Sequence, residues 1–208
     1  MEEKNYTGLI PENKTGIIID SAVSEEFKTE EDAKAFYKIA KSRLLDMNHW
    51  EKLASLASAD FQLIDKSGQE VNRNVDKGDY FKIDIPGPGP KAGEGYDWVQ
   101  VEDLREVSQK NIDSIGFRVR PSTNPFSEDQ SIAHFYSEES TSTFIVTREY
   151  NKVTATIYDR NTKPNTDSES ITDKIRDVAT GIGALLVGSK FQWKGLAKGL
   201  VNPDTKGR

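Results

Sequence analysis

The sequence predicts an α+β fold: about seven antiparallel strands, two shorter helices between the first and second strands, and a long C-terminal helix. Three observations carry this. In several runs between residues 60 and 160, polar and apolar residues alternate with a period of two, as in half-buried strands. After an initial β-branched run, Ala33, Phe36, Tyr37, Ala40, Leu44 and Met47 recur at spacings of three and four, which makes one apolar helix face. A second such stripe, Ile171, Ile175, Val178, Ala179, Ile182, Leu185 and Leu186, is the strongest amphipathic stretch in the chain.

Residues 1–15 are polar and hold Gly8 and Pro11, which predicts a flexible leader. One domain is expected over residues 16–201, with a tail at 202–208. Ile17, Ile18 and Ile19 place the first strand at residues 16–22, since the run is too short for a helix. Thr29 with Glu30, Glu31 and Asp32 forms a capping-box-like start to the first helix. Asn48 is expected to end that helix and begin a short second one carrying Trp50, Leu53, Leu56 and Ala57. Strands follow at residues 60–65, 78–85 and 96 to about 104, the last two joined by the proline- and glycine-rich loop PGPGPKAGEG. Pro86 ends its strand because it has no N–H to donate. Residues 112–120 make a fifth strand, with Phe117 and Val119 facing away from Arg118 and Arg120. A long loop with a short strand at residues 133–136 precedes a hairpin over residues 141–160. Its turn falls at Tyr150-Asn151-Lys152, where asparagine tolerates the left-handed backbone. After the last helix, residues 189–208 are basic, and they either prolong that helix or fray into solvent.

Composition narrows the function classes. The 208 residues carry a formal charge of -6, which disfavours nucleic-acid binding, since phosphate neutralisation needs a dense basic surface. There are no cysteines and two histidines, which excludes disulfides, thiolate metal sites and cysteine nucleophiles and makes a metal site unexpected. No signal sequence and no run of roughly 20 apolar residues is present, so a cytoplasmic protein without integral membrane association is expected. No cofactor motif occurs: prolines in PGPGP remove the amides that would cradle a phosphate.

The order strand, two helices, six strands, long helix resembles the helix-grip fold of the START-like superfamily, also called SRPBCC and including polyketide cyclase-like proteins. The resemblance covers nearly the whole chain and is one of topology. It implies a curved antiparallel sheet wrapped around the C-terminal helix, enclosing a cavity for an apolar or amphipathic ligand. The superfamily has no invariant catalytic motif, so the resemblance transfers an architecture and no residue roles.

Within that frame, Tyr80, Trp98 and Tyr158 are candidates to line a cavity, each a flat apolar body with one polar handle. Arg118 and Arg148, with Arg120 and Arg160, would bind an acidic ligand head if they project inward, and merely solvate the outer face if they do not. His134, between Ala133 and Phe135-Tyr136, is a candidate acid or base, against the ordinary role of a loop histidine. Asp79, Asp84, Asp97 and Glu102 fix no separation that a glycosidase or metal site requires. Three readings follow: a carrier or sensor for a small apolar or amphipathic molecule; a cyclase, dehydratase or hydrolase using the same cavity; and a protein-interaction module of the Hsp90-activator kind with a filled cavity. The first is preferred, because it needs no catalytic residue.

Overall fold

The computed structural model describes residues 3–54, 59–85, 89–165 and 193–205. Its strands are β1 (Ile17–Glu26), β2 (Asp60–Ile64), β3 (Tyr80–Asp84), β4 (Asp97–Ser108), β5 (Ile112–Pro121), β6 (Thr141–Glu149) and β7 (Lys152–Thr162). They form one curved antiparallel sheet in the order β1-β7-β6-β5-β4-β3-β2. Every neighbour from β2 to β7 is therefore adjacent in sequence, and only β1 crosses over, to pair with β7.

Between β1 and β2 lie α1 (Glu30–Leu45), a single tight turn at Met47–His49, and α2 (Trp50–Ala54). Thr29 caps α1 as its sequence predicts: the hydroxyl accepts the Asp32 N–H at 3.1 Å, and three acidic residues fill the first turn. A third helix, α3, spans residues 193–201. The stripe at residues 171–186, the predicted long helix, lies outside the described residues.

Pleat alternation sorts the sheet into an inner face towards the helices and an outer face. Phe81, Val99, Val101, Phe117, Val119, Phe144, Val146, Ala155 and Ile157 are inner and share one core with α1, Trp50 and the α3 residues Leu196, Ala197, Leu200 and Val201. Trp50 is the hub. It is fully buried, and its ring lies 5.0 Å from Phe144, 5.5 Å from Phe61 and 6.1 Å from both Phe81 and Phe117. Its indole N–H is satisfied by the Arg43 carbonyl at 3.1 Å.

Arg43, on the buried face of α1, holds the end of α3. Its guanidinium donates to the carbonyls of Gly199, Leu200 and Asn202 at 3.3, 3.2 and 2.9 Å, and to that of Thr205. The first two are carbonyls that a helix end leaves without intrahelical partners, and the other two belong to the turn that follows it. Residues 193–201 are thus a packed helix rather than a frayed segment. Gly199 permits the approach, since a Cβ there would stand 2.1 Å from the Leu53 carbonyl oxygen.

Four local expectations change. Asn48 does not cap a helix: its amide donates to the Val71 carbonyl and its oxygen accepts the Leu63 N–H, tying the helical turn to β2. In the β6–β7 turn the left-handed residue is Tyr150 (φ 53°) rather than Asn151, whose amide is used to hold the Phe27 carbonyl beyond β1. Residues 133–136 form no strand; a single bridge pairs Tyr136 with Pro164. The leader, expected to be flexible, runs across the outer face. Leu9 and Ile10 are buried, Ile10 packs with Ile145 and Tyr158, and the Leu9 carbonyl accepts from Arg118 at 2.8 Å.

Candidate functional site

At the β2–β4 end of the inner face the sheet and α3 do not close completely. A cavity of about 50 Å³ remains, walled by Ala59, Phe61, Phe81, Ile83, Ile85, Val99, Val119 and Phe144 from the sheet side, by Trp50, and by Trp193 of α3. Residues 134–136 and Ser142 complete the wall. A second chamber of about 20 Å³ shares Val99, Val119, His134, Tyr136 and Ser142, and adds Pro121, Ser140, Thr141 and Thr162. The hydroxyls of Thr141 and Thr162 are buried and have no partner among the described residues. The site is therefore apolar in its body and polar, without formal charge, at one end.

The His134 segment owes its position to long-range bonds rather than to local structure. The Trp98 N–H donates to the Ala133 carbonyl at 2.7 Å, and Asp97, at the start of β4, accepts the Phe135 N–H at 2.8 Å. From beyond β7, the Asn165 amide donates to the carbonyls of Ile132 and His134 at 3.1 and 3.0 Å, and the Phe135 carbonyl accepts the Asn165 N–H. The rings of His134 and Phe135 stack at 4.3 Å. His134 is 6% exposed, and its Nδ1 accepts the Tyr136 N–H at 2.9 Å. That bond leaves the ring proton on Nε2. Burial pushes the imidazole down to about 3, against the Tyr136 bond, so it is neutral at physiological pH.

Asp159 lies beside the wall, opposite Ser142 on the neighbouring strand. It is fully buried; Oδ2 accepts the Trp193 indole N–H at 3.0 Å and Oδ1 has no partner among the described residues. Burial pushes its carboxyl up to about 7, with the nearby Ser142 hydroxyl and the Trp193 indole N–H opposing. Trp193 meets Phe144 edge-on at 5.2 Å, so one indole is both a wall of the cavity and the donor to Asp159.

Of the six residues singled out from the sequence, His134 alone lines the cavity. Tyr80 and Trp98 are on the outer face, where Trp98 packs with Ile64 and Ala133 and turns its edge to Phe126 at 5.6 Å. Arg118 is also outer, bonded to Glu102 at 2.6 Å. Tyr158 lies under the leader. Arg148 is inner and completely buried, but at the opposite end, spanning Asp113 at 2.7 Å and the Tyr150 carbonyl at 3.0 Å. An acidic ligand head would meet none of these arginines at the cavity. Asp159, Ser142 and Trp193 were not singled out for the site. Ser142 and Asp159 were findable, because both fall on the inner register once Phe144 and Ile157 are placed there. Among the described residues no group of three or more acidic or histidine side chains could hold a metal ion, and no helix is long and apolar enough to cross a membrane.

No family model matches the chain, and no curated protein does. Among solved structures it is similar to a hypothetical protein from Helicobacter pylori, with a TM-score of 0.51 and 16% identity over 95% of this chain and 97% of that one. A protein from Arthrobacter aurescens (TM-score 0.36, 13% identity, 89% and 88% covered) and truncated norcoclaurine synthase from Thalictrum flavum (0.33, 9%, 88% and 96%) are also similar. At 16% identity the first likeness is one of fold alone. The sheet order and the helices on its inner face define a helix-grip protein.

Proposed function

We propose that this chain belongs to the START-like superfamily and binds a small apolar or amphipathic molecule in the cavity between the sheet and α3. The observation that carries this reading is the wall itself. Bulky aromatic side chains converge from three strands, from Trp50 and from Trp193, yet leave space beside a buried, uncharged polar end, the arrangement of a small-molecule site. At about 50 Å³ the cavity holds a few waters, so a larger ligand enters by displacing Trp193, whose tie to the sheet is one hydrogen bond to Asp159. The small volume also favours a second reading, an interaction module whose cavity is filled.

The catalytic reading is less well supported. His134 is at the wall but is held neutral and is a weak base, and Tyr158 and the arginines do not reach it. Titration with N-phenyl-1-naphthylamine, a neutral fluorophore, tests the proposal. Saturable fluorescence enhancement is expected, with Trp193→Ala tightening it by widening the cavity. The absence of saturable binding in both proteins would reject the binding site and favour the interaction module.

A further inference from the structure

The polar end of the cavity limits what its occupant can be. No lysine or arginine side chain lines either chamber among the described residues, and a buried carboxyl, Asp159, lies opposite Ser142 on the neighbouring strand. An anionic head placed here would lose its hydration without gaining a cation from any described residue. A cationic head would meet Asp159 only after Trp193 had left its Oδ2. What the site does offer is a donor. His134 Nδ1 is committed to the Tyr136 N–H, so Nε2 carries the proton, and no described residue accepts from it. The ring lines both chambers, and Nε2 keeps some exposure, unlike the sealed hydroxyls of Thr141 and Thr162, so a ligand oxygen can reach its N–H and gain a hydrogen bond there.

We infer, building on the cavity reading above, that the ligand is an uncharged, mostly apolar molecule that presents a carbonyl, ether or hydroxyl oxygen to the Nε2–H of His134. The apolar body lies along Phe81, Val99 and Phe144, and the oxygen points towards the chamber that carries Thr141 and Thr162. His134 then acts by selecting the ligand; it transfers no proton.

Three probes of nearly equal size separate the possibilities, because whatever the walls must yield is common to all. Acetophenone carries the acceptor, ethylbenzene lacks it, and benzoate replaces it with a charge. Affinities are read from amide chemical-shift titrations of the full chain. In the wild type, acetophenone and ethylbenzene both bind and benzoate does not. In His134→Phe the ratio of acetophenone to ethylbenzene affinity falls roughly 3- to 10-fold, the worth of one neutral hydrogen bond. His134→Gln, which keeps an amide donor, restores part of that ratio. Imidazole nitrogen shifts of the wild type provide a readout independent of any variant: an Nε2–H neutral tautomer from pH 5 to 8, with Nε2 shifting on acetophenone addition. An unchanged ratio in His134→Phe, a proton on Nδ1, or benzoate binding as well as acetophenone would overturn the inference while leaving the cavity reading intact. If neither neutral probe binds, the cavity reading falls and this inference with it.

Discussion

The two faces of the sheet are both largely covered, by opposite means. The inner face is covered by large apolar side chains meeting at Trp50. The outer face is covered by ion pairs and by the leader, which buries Leu9 and Ile10: Arg118 and Arg120 share Glu102, Arg160 bridges Asp20 and Glu3, and Glu149 accepts from Lys4 and Tyr6. Apolar burial scales with area and is unforgiving of lost volume, whereas exposed ion pairs contribute little each because water competes for both partners. The inner face should therefore carry the stability, and the outer face should tolerate change.

The strongest way to break that contrast is Trp50→Ala. Removing the ring that touches four phenylalanines is expected to cost about 4 kcal/mol in denaturant unfolding. A loss below about 1 kcal/mol would mean the core is not organised around it.

Next come the two buried titratable groups at the polar end, which act in opposite directions. Asp159 has a raised folded value, so its stabilising contribution is complete below the unfolded value of about 4 and disappears as pH rises through about 7. Asp159→Asn should remove a pH dependence on the order of 3 kcal/mol across that window and be more stable than the wild type at pH 8. His134 has a depressed value, so its contribution is complete above about 6.5 and is lost as pH falls through about 3. His134→Phe should flatten that acid limb. Between about pH 4 and 6 the fold holds both groups uncharged where free ones would be charged.

A smaller effect is expected at Arg43. Arg43→Met leaves the last carbonyls of α3 without their donor and should cost roughly 2 kcal/mol. Hydrogen exchange at residues 196–201 should then speed up more than exchange in β5 or β6; uniform acceleration would show that Arg43 does not act through α3. Last, Arg118→Ala should change stability by less than about 1 kcal/mol despite its short bond to Glu102, since both side chains keep water contact. A loss several times larger would erase the distinction between the faces.

How much of this was legible in the sequence follows the same division. The strands of β3 to β7, the alternation that separates Phe117 from Arg118, and the Thr29 cap were read from neighbours within a few residues. The site was not. Tyr80, Trp98 and Tyr158 were selected for chemical type, but the pleat turns them to the outer face, and alternation tells which residues face together without telling which face receives the helices. Nothing in the sequence near His134 reveals that Asp97 and Asn165 pin it over the cavity, because those partners are 37 and 31 positions away in the chain. Nor does it reveal that Trp193, in a basic and glycine-containing end, returns to donate to Asp159.

Period-two and period-three-to-four hydrophobicity was thus enough to establish the strands, the first helix and the α+β class, since these depend on backbone geometry repeated along a short window. Which face closes over the helices, where the cavity remains, and the neutral state of His134 and Asp159 were decided only in the tertiary structure. They depend on desolvation and on bonds between segments far apart in the chain, and neither is a property of any residue beside its sequence neighbours.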